Sequence, residues 1–171
     1  MKFPWRCLLV VAAVMTGCVV LAACGGGEEE LDLEQYFRRF QDINDTANTR
    51  VDVLVEESEG VGEDMEATRD YFDAFNAIAK ETTDELKDIH PPAEAQDAHD
   101  EYVAALGEAL ALWEDFGDRL ADVESPSGLA ALAAELNEPP FATAGERITD
   151  ACLQLKGIAD ENGIEVDLGC E

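Results

Sequence analysis

Residues 63–89 read EDMEATRDYFDAFNAIAKETTDELKDI and predict a helix over this range, because their apolar positions recur in steps of three and four. This spacing places the apolar side chains on one face of an α-helix, which turns once every 3.6 residues. A repeat of seven residues also favours lengthwise packing against other helices. The predicted core face consists of Met65, Thr68, Phe72, Phe75, Ala79, Thr82, Leu86 and Ile89.

Three further segments have the same period and predict long helices at residues 32–58, 92–123 and 141–161. A short Ala-rich helix is predicted near residues 129–136, and a short extended tail at 164–168. Four amphipathic helices with short connections favour an all-α, elongated antiparallel bundle. A coiled coil formed by self-association is the alternative, but the Pro and Gly residues between the segments favour folding within one chain. The predicted core faces of these helices include Ala47, Val51, Leu54, Ala109 and Trp113.

The N-terminus has the composition of a bacterial export signal. Two basic residues precede an apolar run that ends in LAAC at residues 21–24. This tetrapeptide resembles the lipobox, in which the cysteine is lipidated and the chain is cut just before it. Residues 1–23 are therefore predicted to be a lipoprotein signal peptide, with palmitate among the acyl chains expected on Cys24. An uncleaved membrane anchor and an ordinary signal peptide are the alternatives, and MTGC at residues 15–18 is a poorer copy of the motif.

This prediction divides the chain into three parts. The signal peptide precedes a flexible tether rich in Gly and Glu, residues 24–31, and a helical-bundle domain, residues 32–171. Two or three acyl chains hold a protein stably at a membrane, whereas one holds it only marginally. We therefore expect the domain at the extracytoplasmic face of the bacterial cell membrane, anchored through the lipid on Cys24.

The chain is strongly acidic. It has 39 acidic and 11 basic side chains, a formal net charge of −28. This balance argues against nucleic-acid binding, which depends on Lys and Arg. The acidity indicates either solubility and non-adhesion or a surface for cations or a basic partner.

The two histidines are the weak candidates for a metal site. His90 follows the second helical segment, His99 lies on the core face of the third, and carboxylates are near both in sequence. A di-iron site in a bundle core needs Glu-x-x-His on two helices, and neither histidine has Glu three residues before it. We therefore expect no metal or other cofactor, and we expect His99 to form a hydrogen bond at one end of the bundle.

The sequence contains no recognisable catalytic pattern. Gly-x-Ser-x-Gly, His-Glu-x-x-His and Cys-x-x-Cys are all absent. The many carboxylates fall on exposed helix faces, where nothing in the sequence would separate the pKa values of a catalytic pair. The prediction is that the protein is not an enzyme. Its aromatic residues are expected in the core, and the alternative is an apolar cavity for a small ligand.

Cys152 and Cys170 are the cysteines of the exported domain other than Cys24. Disulfides persist outside the reducing cytosol. From Gly163 an extended tail reaches roughly 23 Å, while the helix from Gly163 back to Cys152 covers only about 16 Å. We therefore predict a Cys152–Cys170 disulfide in a monomer; two buried thiols or an intermolecular bridge are the alternatives. The apolar tail residues then alternate onto the bundle: Ile164, Val166 and Leu168.

Three parts of the chain resemble a family of uncharacterised bacterial lipoproteins. They are LEQYF at residues 33–37, IHPPAE at residues 89–94 together with His99, and residues 151–170 with both cysteines. The family shares a lipobox, an acidic helical body and a terminal cysteine pair. The resemblance implies no established activity, so no catalytic residue is carried over from it.

The resulting prediction is a membrane-anchored, non-catalytic binding or spacer module whose protein or small-ligand partner the sequence does not identify. The alternative is a bundle that binds a small ligand, or a metal through His90, His99 and nearby carboxylates. A continuous packed core would favour the spacer. An apolar pocket, or a cluster of histidine and carboxylates without partners, would favour binding.

Overall fold

The computed structural model describes residues 31–170 of the 171-residue chain. The predicted signal peptide, Cys24 and all but the last residue of the tether lie outside the described residues. The fold is all-helical, as predicted. The helices are α1 (Leu33–Glu57), α2 (Met65–Lys87), α3 (Gln96–Ala121), α4 (Pro126–Ala133), which continues as a 3-10 turn (Ala134–Asn137), and α5 (Phe141–Glu161).

Side-chain caps fix where the first two helices begin. The Asp32 carboxylate accepts a hydrogen bond from the Gln35 backbone N–H at 2.8 Å, and the Gln35 side chain accepts one from the Asp32 N–H at 3.1 Å. Asp64 caps α2 in the same way, accepting from the backbone N–H groups of Glu66 and Ala67. These bonds satisfy N–H groups that have no partner within the helix.

The buried residues form two clusters, which show how the helices run. The first cluster joins the starts of α1 and α3 to the ends of α2 and α5. The second joins the end of α3 and α4 to the starts of α2 and α5. Because starts meet ends in both clusters, neighbouring long helices are antiparallel, as predicted. The large side chains of the first cluster include Tyr36, Phe37, Phe40, Leu86, Tyr102 and Leu155. The second consists of Phe116, Leu120 and Leu132, with partly buried side chains packed against them that include Phe72, Trp113 and Phe141.

The start of α3 differs from the sequence prediction. The helix begins at Gln96, four residues after Pro92, and the intervening chain forms a turn in which the Ala95 N–H donates to the Pro92 carbonyl at 2.9 Å. A helix starting at Pro92 would have Pro91 as its cap, and proline has no side-chain acceptor for the first N–H groups. Both prolines are buried, so they pack in the bundle instead of starting a helix.

The tail returns along α5 and is held by the predicted disulfide. Gly163 has a φ of +70°, in the left-handed region that glycine readily adopts. The Ile164 N–H donates to the Ala159 carbonyl at 2.9 Å, which ends α5 and reverses the chain. Cys170 is bonded to Cys152, with 5.5 Å between their Cα atoms. The alternation is also as predicted: the apolar residues Ile164, Val166 and Leu168 face the first cluster, while Glu165 and Asp167 are exposed.

Candidate ligand-binding pocket

His99, the more buried of the two candidate metal ligands, is engaged in a hydrogen bond. It is 3 % exposed, and its Nδ1 lies 3.1 Å from the hydroxyl of Tyr36 on α1. The two rings also meet edge to face, with centroids 5.7 Å apart. His99 therefore ties the start of α3 to the start of α1 inside the first cluster.

Burial keeps this pair uncharged. Desolvation lowers the pKa of His99, although the nearby Asp100 carboxylate and the Leu86 backbone oppose the shift. Desolvation also raises the pKa of Tyr36, so its hydroxyl keeps its proton. A neutral imidazole offers one donor and one acceptor nitrogen. The neutral pair is complementary, because the Tyr36 hydroxyl can donate to an unprotonated Nδ1 or accept from a protonated one.

The structure does not build a metal site around either histidine. His90 is exposed on the connection between α2 and α3, whereas His99 is buried in the first cluster. Within residues 31–170, no group of three or more His, Cys, Asp or Glu side chains is arranged to hold a metal ion.

A pocket of about 300 Å³ interrupts the core between the two clusters. Residues from α1, α2, α3, α5 and the tail form its wall. Tyr102 reaches it from the first cluster, and Trp113 reaches it from the second. The other lining residues are Asn44, Ala47, Asn48, Val51, Phe75, Ile78, Ala79, Thr82, Thr83, Leu106, Ala109, Leu110, Ile148, Leu168 and Gly169.

The pocket exists because three helices place alanine at the same level of the core. Ala47 of α1, Ala79 of α2 and Ala109 of α3, which we call the alanine layer, all line it. Towards either end of the bundle the core contains several aromatic side chains, among them Phe37 and Phe40 in the first cluster and Phe116 in the second. Three methyl groups fill much less volume than three such side chains, so space remains where the helices do not move closer together.

The second half of α1 also leaves the pocket partly open. The first half of the helix is fully buried at Tyr36, Phe37 and Phe40, but Val51 and Leu54 are only half-buried. This differs from the sequence prediction, in which one continuous core face ran along α1. Gln41, in the first half of α1, borders the same hollow as tail residues 163–167.

The pocket lining is uncharged, and its polar groups differ in how they are satisfied. Thr82 and Thr83 donate their hydroxyl protons to the carbonyls of Ile78 and Ala79, each at 2.8 Å. The side chains of Tyr102, Asn44 and Asn48, by contrast, have no hydrogen-bond partner among the described residues.

Sequence reasoning named the possibility of an apolar cavity but not these residues. The signal was present, since Ala47, Ala79 and Ala109 all fall on predicted core faces. To know that the three alanines lie side by side, one must know how far each helix is displaced along the bundle axis relative to its neighbours. The packed structure gives this displacement, whereas the apolar period of a single helix does not.

Two further observations concern the helices and the comparison with known proteins. None of the helices described between residues 31 and 170 has the length and apolarity that a membrane crossing requires. No protein-family model, curated protein or solved structure matches the chain.

Proposed function

We propose that the protein is a lipid-anchored, extracytoplasmic binding module that holds a small, mainly apolar ligand in the pocket of the alanine layer. The observation that carries the proposal is the interruption of the core: about 300 Å³ of uncharged space lies between two well-packed clusters. This volume is at the lower end of the range for small-molecule sites, which are mostly apolar with a few polar groups. A pure spacer would gain stability from filling that space.

The pocket chemistry supports binding without catalysis. Tyr102 is the one titratable side chain in the lining. Burial raises its pKa, so at neutral pH it offers a protonated hydroxyl and not a base. General acid–base catalysis needs a group whose pKa lies near the working pH. The lining is suited to holding a molecule and not to reacting with it.

The anchoring half of the proposal rests on the lipobox at residues 21–24, and the two cysteines of the apolar run provide its test. Cys24→Ser should move the protein out of the membrane fraction, while Cys18→Ser, the matched control, should leave it there. Mass spectrometry of the purified protein should find an acylated Cys24 at the N-terminus. A membrane-bound protein that retains residues 1–23 would contradict lipid anchoring.

The binding half is tested on residues 25–171, which contain both core clusters and the disulfide. Trp113 is the sole tryptophan of this fragment and lines the pocket. Binding of N-phenyl-1-naphthylamine, a neutral apolar fluorophore, should quench Trp113 by energy transfer. Circular dichroism checks that the fragment is folded.

A matched pair of substitutions on α3 locates the bound fluorophore. Ala109→Leu fills the pocket, whereas Ala111→Leu adds the same side chain on the exposed face of the helix. We expect the first variant to lose binding and to become more stable by about 0.5–2 kcal/mol through cavity filling. The second should bind as the wild type does. Absence of binding to the wild type, or equal binding to both variants, would contradict the proposal.

A further inference from the structure

Tyr102 carries a hydroxyl that pairs with no described residue. The residue is 8 % exposed and lines the pocket, yet its hydroxyl makes no hydrogen bond among the described residues. Tyr36 in the same cluster is fully buried and is bonded to His99. The Tyr102 hydroxyl is not fully enclosed, since the one fully buried side-chain oxygen or nitrogen without a partner among the described residues is Asn76 Oδ1. The pocket therefore holds a hydrogen-bonding position that the protein itself does not use.

The type of this position follows from its protonation. Burial raises the pKa of Tyr102, so its hydroxyl is protonated throughout the physiological range. The group can therefore donate a hydrogen bond to a molecule in the pocket, and an acceptor oxygen on that molecule would receive it. Asn44 and Asn48, one turn apart on α1, add two more unpaired amides to the lining.

The charge of the site restricts the ligand further. No lining residue carries a charge that could compensate a ligand ion, and moving an unpaired ion from water into such a site is costly. Anions also meet the field of a chain with a formal net charge of −28. The desolvation cost disfavours ions of either sign, and the field of the chain adds to the cost for anions alone, so an uncharged ligand fits the lining best.

We infer that the pocket binds a neutral amphiphile of roughly ten or more non-hydrogen atoms, whose acceptor oxygen is held by the Tyr102 hydroxyl. This inference rests on the proposed binding function and names its ligand class. The size follows from the volume, since a dry apolar cavity of about 150 Å³ already admits benzene and this pocket has about 300 Å³. Esters, ketones and ethers with an apolar body belong to the class.

The experiment compares four ten-carbon compounds by displacement of N-phenyl-1-naphthylamine from residues 25–171. They are n-butylbenzene, butyrophenone, 4-phenylbutanoate and 4-phenylbutylammonium. Butyrophenone differs from butylbenzene by a carbonyl oxygen, and the other two carry opposite charges. We expect butyrophenone to bind about fivefold more tightly than butylbenzene, as one hydrogen bond would give, and both ions to bind at least tenfold more weakly than the ketone.

Two tyrosine variants assign the effect to one hydroxyl. Tyr102→Phe removes an unpaired hydroxyl, so it should leave thermal stability unchanged or raised while abolishing the fivefold preference for the ketone. Tyr36→Phe, the matched control, breaks the bond to His99, so it should lower stability and keep the preference. A preference that survives Tyr102→Phe, or an ion that binds as tightly as the ketone, would overturn the inference but not the binding function. Failure of the fluorophore and of all four compounds to bind would overturn both.

Discussion

Removing the Cys152–Cys170 disulfide should lower the free energy of unfolding by about 3 kcal/mol. The bond closes a loop with a sequence separation of 18 residues. The chain-entropy relation for that loop length gives about 3 kcal/mol at 25 °C, a large share of the roughly 5–15 kcal/mol typical of a domain. Cys170→Ala in residues 25–171 is the suitable change, because it leaves Cys152, which is 2 % exposed, in its packed position.

Urea unfolding followed by circular dichroism and Trp113 fluorescence measures this loss of free energy. In thermal unfolding, the melting temperature should fall by about 10 °C, since each kcal/mol corresponds to a few degrees in a domain of this size. The reduced wild type should match Cys170→Ala, and reductant should not destabilise the variant further. A loss below about 1 kcal/mol, or a further loss on reducing the variant, would refute the loop-closure reasoning.

The same variant reports whether the disulfide is needed to keep the tail in place. Leu168 is 4 % exposed and, with Gly169, lines the pocket. If the tail detaches, the burial of Leu168 is lost as well, at an additional cost of about 1.5–3 kcal/mol. N-phenyl-1-naphthylamine should then bind more weakly. A loss near 3 kcal/mol with unchanged binding would mean that the tail stays packed without its covalent link.

Three other outcomes follow from the described contacts. Burial lowers the pKa of His99 in the folded protein, so on acidification the unfolded chain binds the proton first. The free energy of unfolding should therefore fall as the pH drops below about 6.5. Denaturation at a series of pH values should show this fall in His90→Gln but not in His99→Gln. Arg69 donates to two carbonyls at the C-terminal end of α3, one at 2.6 Å, so Arg69→Met should cost about 1.5–3 kcal/mol in urea unfolding, and an unchanged midpoint would contradict the role. Asp32→Ala removes the acceptor of the α1 cap and should cost about 0.5–2 kcal/mol, whereas Asp45→Ala, in the middle of the same helix, should cost less.

Helix positions and the disulfide were accessible from sequence because they depend on local chemistry. The apolar spacing predicts helices that begin at residues 32 and 63, and α1 and α2 begin within two residues of these positions, at Leu33 and Met65. The disulfide followed from the reach of a seven-residue tail measured against a helix of known rise. Each of these conclusions needed only distances along the chain.

The start of α3 and the pocket were not accessible in that way. Pro92 is compatible with a first helical turn, but the structure uses it in a buried turn, and only the packing of the two prolines distinguishes these outcomes. Alanine on a core face indicates either close helix contact or a void. The distance between the helices decides which of the two occurs, and the sequence period contains no information about it.

The two halves of α1 differ in burial, and this has a consequence for access to the pocket. Phe37 and Phe40 in the first half are fully buried, whereas Val53 and Val55 in the second half are 47 % and 57 % exposed. The second half is held to α2 partly by the exposed ion pair of Arg50 with Glu81, and exposed pairs contribute little. The free energy of local opening should therefore decrease along the helix towards Glu57.

On the proposed binding function, such a gradient makes the second half of α1 the expected entry route to the pocket. Asn48 and Val51, which line the pocket, lie in the second half of α1, where local opening should cost the least free energy. Amide hydrogen exchange should be slow from Tyr36 to Ile43 and progressively faster beyond Ala47. A ligand would then enter by transient fraying of the last turns of one helix, while the first cluster and the disulfide stay intact.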